Sequence, residues 1–156
     1  MIDLTESARA RVLVVDDDSD SAATLSQVLA AAGFEVAAVR TRRLTVRVVL
    51  DEQVSVVVVS NTDRGIAATT DLVTLLRSRP EPRLRDAGIV ALVDDEIDAA
   101  FSLGEEADAV LVRPVDAGRL VDVVTEVAAT DPSARAARRR AADGAFFRYR
   151  MGLAVS

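Results

Sequence analysis

The sequence predicts a doubly wound α/β domain, a five-stranded parallel sheet covered by helices on both faces. Three observations predict it. Short, continuous apolar runs recur along the chain and read as strands buried on both sides. Segments with apolar residues at helical spacing separate those runs in strict alternation. Finally, Asp16, Asp17 and Asp18 close the first run, at the carboxyl end of a strand, where open α/β sheets place their ligand sites.

The elements follow in order. Residues 11–15 form the first strand. Ser19 or Asp20 can cap the helix after it, with Leu25, Val28, Leu29 and Ala32 on one face and Gly33 as its stop. Residues 34–39 read as the second strand. Residues 42–51 suit either state and are read as a helix. Residues 54–59, valines interrupted only by Ser55, form the clearest buried strand, and 60–65 make a polar turn loop. Leu72, Leu75 and Leu76 mark the third helix, which exits at Pro80 and Pro82. Residues 89–93 are the fourth strand, and Ile97, Ala100 and Phe101 at helical spacing lead to Gly104. Residues 109–112 are the fifth strand, ending in Arg113-Pro114, and Asp116 can cap a last body helix carrying Leu120, Val124 and Val127. Right-handed crossovers leave few topologies for such a chain, and the order 2-1-3-4-5 leads among them.

Composition narrows the chemistry. The 156 residues suit one core and carry a net charge of −6, unevenly spread. Residues 1–130 hold 13 Arg against 23 acids, whereas 131–156 hold six Arg against two acids. That asymmetry separates a body, residues 10–130, from a basic tail, 131–156. The absence of Cys excludes disulfides, thiolate metal sites and thiol nucleophiles. The absence of His removes the commonest general base and zinc ligand. Every one of the 19 basic residues is Arg. No apolar run reaches membrane-spanning length, and the first residues lack a signal peptide's regions, so a soluble, cytoplasmic chain without membrane contact is expected.

Three adjacent carboxylates repel one another and call for a cation or a basic side chain nearby. In the tail, Asp131 and Pro132 suit a helix start. Arg135, Arg138 and Arg139 then share one helical face, and Ala134, Ala137 and Ala141 another. Asp143-Gly144 is read as a break. Beyond it Phe147, Tyr149, Met151, Leu153 and Val155 alternate with Arg148, Arg150 and small residues, the period of a half-buried strand. This helix-plus-strand extension is expected to dock, on the body's sheet edge, on a protein partner or on a second copy. Nucleic-acid binding ranks low, because the body is acidic and the tail too short for an output domain.

Residues from about 11 to about 129 resemble the receiver domain of two-component response regulators, the CheY-like version of the flavodoxin-like fold. The resemblance rests on Val-Val-Asp-Asp-Asp closing strand one, on Ala-Asp-Ala-Val-Leu-Val-Arg-Pro-Val-Asp at 107–116, and on the spacing of all the elements. The order 2-1-3-4-5 is the receiver's own and comes with it. Receivers accept a phosphoryl group from a histidine kinase on an Asp ending strand three, with Mg²⁺ held by the strand-one acids. Carried over, the resemblance puts the metal pair on Asp16 and Asp17 and the phosphoacceptor on Ser60. It puts the hydroxyl after strand four on Val93, the aromatic switch on Val110 and the Lys before Pro on Arg113.

The match therefore implies an atypical receiver. A serine hydroxyl does not supply the third charge that helps hold Mg²⁺, and Val93 cannot hydrogen-bond a phosphoryl oxygen. Asp16 and Asp17 are only weak metal candidates, and no cofactor is expected. Arg113, permanently charged and forked, is expected to bridge Asp16 or Asp17 and to stand in for both metal and phosphoryl group. The resulting expectation is a stand-alone, non-enzymatic pseudo-receiver of two-component-type signalling, not phosphorylated on Asp and acting through protein–protein contacts made by its tail. Two alternatives stand beside it: a phosphoacceptor using Ser60, and a receiver that senses a small ligand.

Overall fold

The computed structural model describes residues 10–95 and 106–150, with side chains to residue 141. Apolar runs form the strands. They are β1 (Arg11–Val15), β2 (Glu35–Val39), β3 (Val56–Val59), β4 (Gly88–Val93) and β5 (Ala109–Val112). The central β1, β3 and β4 are buried, and the edge strands β2 and β5 only partly so. Between and after them lie α1 (Ser19–Ala31), α2 (Arg42–Asp51), α3 (Ile66–Ser78), the one-turn α4 (Pro82–Arg85), α5 (Ala117–Ala129) and α6 (Pro132–Arg150). All strand pairs are parallel, in the order β2-β1-β3-β4-β5. The ambiguous stretch 42–51 is a helix, capped by Thr41, whose hydroxyl accepts from the Leu44 N–H. The helix expected around Ile97, Ala100 and Phe101 lies outside the described residues.

Alternation along each strand sorts the core into two layers. Leu13, Val15, Val57, Val59, Ile89 and Ala91 face Val49 of α2, Leu72, Val73 and Leu76 of α3, and Leu84 of α4. Val12, Val14, Val56, Val58, Val90 and Leu92 face Leu29 of α1 and Leu120, Val124 and Val127 of α5. The β1–β3 register pairs Val15 with Val59, so the residues after each, Asp16 and Ser60, emerge side by side at the carboxyl end. Gly33, at φ 101°, closes α1 by letting the Phe34 N–H turn back to the Leu29 carbonyl.

Two local expectations need correction. Asp18, rather than Ser19 or Asp20, caps α1, its carboxylate accepting from the Asp20 and Ser21 N–H groups. A carboxylate one residue earlier reaches the first free amides with better geometry. The C-terminal strand is not formed over Phe147 and Tyr149, because α6 runs unbroken to Arg150; Met151 lies outside the described residues. A glycine inside a helix costs only about 1 kcal/mol, so Gly144 does not stop a helix already propagating through alanine and arginine. Alternation specifies a strand only where a sheet edge receives its backbone. The sheet here keeps five strands.

Candidate functional site

The acids that close β1 are held by the loop that follows β3. Asp16 is fully buried. Its Oδ1 accepts from the N–H groups of Asp18 and Thr62, each at 3.1 Å, and its Oδ2 accepts from the Thr62 hydroxyl at 3.0 Å. Asp17 accepts from the Asp63 N–H on Oδ1 and the Arg64 N–H on Oδ2, both at 2.8 Å. Asn61, at a positive φ of 27°, and Gly65, at 76°, bend the loop so that consecutive amides point at the two carboxylates. The repulsion among the acids is thus met by loop amides and the Thr62 hydroxyl, with the Arg64 guanidinium 3.9 Å from Asp17 as the nearby cation. Burial alone would raise the Asp16 pKa, but hydrogen bonds from the Ser21 hydroxyl and from Asp18 and Thr62 outweigh it and hold the carboxyl below its usual value.

Arg113 does not bridge Asp16 or Asp17, as the sequence had suggested. Its Nη2 donates to the Ser60 hydroxyl at 2.6 Å and to the Ser60 carbonyl, and its Nη1 to Asp94 at 2.8 Å. Asp94, on the loop after β4, supplies its carboxylate instead, and Arg64 is the guanidinium nearest the Asp17 carboxylate. Ser60 itself is buried, its N–H bonded to the Val15 carbonyl. Val93 ends β4, buried and apolar, and Val110 sits half-buried in β5, both in the α2–α3 layer. The Arg113–Pro114 bond is cis.

The Mg²⁺ implied by the resemblance meets a poor fit. Every oxygen of Asp16 and Asp17 already accepts a hydrogen bond, and the third ligand position offers a hydroxyl bound to a guanidinium. Among the described residues, no three acidic, His or Cys side chains converge as a metal-binding group.

A second polar cluster, missed in the sequence, lies at the amino end of the sheet. The Asp108 side chain, 3 % exposed, precedes β5. Its Oδ2 accepts from the Ile89 N–H at 2.8 Å and from Arg77 at 2.9 Å, while Oδ1 accepts from Arg139 of α6 at 2.5 Å. Arg135 of α6 approaches Oδ2 to 3.8 Å and caps three carbonyls, those of Asp86, Val127 and Thr130. Burial pushes the Arg77 guanidinium down to about 10; Asp108 opposes the shift, and Arg139 and Arg135 add to it. The i, i+4 pair Arg135 and Arg139 was visible as one face of the tail helix. That this face turns inward, leaving Ala134 and Ala137 exposed, was not.

Comparison with solved structures decides the architecture. A putative response regulator from Chloroflexus aurantiacus superposes with a TM-score of 0.69 at 22 % identity, over 78 % of this chain and 99 % of its own. The chain has the receiver fold. A CheY-like receiver domain from Methylobacillus flagellatus aligns at 0.65 and 21 % identity, covering 76 % of this chain and 98 % of that one. A sensor protein from Polaromonas sp. JS666 aligns at 0.67 and 22 %, covering 77 % and 96 %. No protein-family profile matches the sequence, and a comparison with curated proteins finds no significant match. In this receiver fold, no described helix is long and apolar enough to cross a membrane.

Proposed function

We propose that this receiver-fold chain is a cytoplasmic signalling module of the two-component kind that takes no phosphoryl group on aspartate, catalyses no reaction and acts through protein contacts. The observation that supports it most is the state of the β1 acids and of Arg113. Loop amides engage both carboxylates, and the guanidinium bonds Ser60 and Asp94, so the groups that would bind a metal and a phosphoryl group are satisfied by the protein itself. Phosphate transfer to Ser60 is the weaker reading. The residue is 1 % exposed and its hydroxyl accepts from Arg113 instead of facing a base. The basic extension is the contact element in this proposal, seated on the body by Arg135 and Arg139.

The test is incubation of the full chain with acetyl phosphate and Mg²⁺, read by intact mass, with Mg²⁺ titrated separately by calorimetry. No phosphoryl adduct and no binding at millimolar Mg²⁺ are expected. A stoichiometric adduct, on Ser60 or elsewhere at the carboxyl end of the sheet, overturns the proposal.

A further inference from the structure

A cleft of about 540 Å³ opens beside the acid pair, outside the carboxyl ends of β1 and β2, and neither Ser60 nor Arg113 lines it. Four guanidiniums do: Arg40 after β2, Arg42 and Arg43 in the first turn of α2, and Arg64 in the β3–α3 loop. Against them stands one lining carboxylate, Asp71. Arg40 spends one donor on the Asp17 carbonyl, and Arg64 lies 3.9 Å from the Asp17 carboxylate. The Arg42 and Arg43 side chains have no hydrogen-bond or ion-pair partner among the described residues.

This arrangement costs the folded protein something and needs a reason. A helix N-terminus carries partial positive charge, so two arginines in the first turn of α2, with no acid beside them, oppose its dipole. In a chain of net charge −6, the cationic surplus is local rather than general. The wall toward α3 is apolar, made by the Ala67 and Ala68 methyls over the buried Val15 and Leu72. The crevice opens between the segments that follow β2 and β3, outside the carboxyl ends of the strands, the side on which open α/β sheets bind ligands. Its volume falls within the range of small-molecule sites, about 300–1,000 Å³.

We propose that this cleft binds a nucleoside phosphate, the phosphates on Arg42, Arg43 and Arg64 and the base against the apolar wall. Guanidinium forks recognise phosphate oxygens in pairs, and the volume admits a nucleotide but not a duplex. The site is independent of the Ser60 pocket and does not rest on its phosphorylation state.

The test is calorimetric titration of the full chain with ADP, GDP, CDP and UDP, with adenosine and inorganic phosphate as partial ligands. Arg42→Ser/Arg43→Ser is the variant. Arg47→Ser, on the same helix outside the cleft, is the control for lost charge. Both sites are exposed, and an unchanged thermal midpoint of the unliganded variants shows that they fold. At least one nucleotide is expected to bind the parent chain and the Arg47 variant alike, to lose about tenfold or more in affinity in the double variant, and to bind better than adenosine or phosphate alone. Absence of binding by all four nucleotides at millimolar concentration overturns the proposal, as does equal affinity in the double variant. Tighter, Arg42/Arg43-dependent binding of a short DNA duplex overturns it in favour of a nucleic-acid surface.

Discussion

Thr62 joins the loop after β3 to the acid after β1 twice, donating both its N–H and its hydroxyl to Asp16. Thr62→Val keeps the shape and the amide but removes the hydroxyl, leaving Oδ2 of a buried carboxylate short of a donor. A loss of about 1–2 kcal/mol at neutral pH is expected in urea denaturation. The pH dependence follows from the direction of the Asp16 shift. Its folded pKa lies below the ordinary value of 3.8, so its stabilising bonds are fully present above that value and are lost as pH falls through the lower, folded one. The gap in stability between parent and Thr62→Val should therefore be constant near neutrality and shrink below about pH 4. A gap that stays constant into strong acid would show that Asp16 is not the partner that matters. The acids were legible in the sequence as a cluster needing compensation. What compensates them was not, because the backbone amides of 62–64 carry no letter and the Thr62 hydroxyl becomes a donor to Asp16 only once the loop brings it there.

Helices and strands were more readable than their ends and their targets. The apolar runs at 12–15 and 56–59 are buried on both faces, as their lack of alternation implied, and the chain order of strands and helices reproduces the receiver arrangement. The failures share a cause. Alternation after Gly144 signals a strand only given an edge to join, and Arg113 signals an ion pair without saying which carboxylate it meets, here Asp94. Both the edge and the partner are set by tertiary context. Gly88, the first residue of β4, is a place where elements meet too closely for any side chain. A Cβ there would lie 2.8 Å from Val127 Cγ1 of α5 and 2.9 Å from the Ser55 carbonyl oxygen. Gly88→Ala should cost about 1–3 kcal/mol, seen as a lower urea midpoint with an unchanged slope. The carbonyl is backbone and cannot step aside; a neutral result would mean that β4 and α5 shift apart freely.

At the scale of the whole molecule, body and extension meet on one carboxylate. Asp108→Ala leaves Arg77, Arg135 and Arg139 facing one another without an anion and strips the Ile89 N–H of its acceptor. About 3–5 kcal/mol is expected to be lost. Ending the chain at Thr130 should cost less, because the Arg77–Asp108 pair survives it and the carbonyls that Arg135 capped become open to water. Chemical denaturation of the two variants orders them, and the reverse order would show that α6 holds the body together rather than resting on it. The body's aspartate already has a body arginine, so the two cations of α6 are a surplus on their own seat. Detachment leaves the domain's base electrically neutral and hands the unmatched positive charge to the departing arm. Because Asp108 and Arg135 are buried and Arg135 also holds three carbonyls, salt screens this seat only weakly, so the tail helix and the base of the domain share one electrostatic fate.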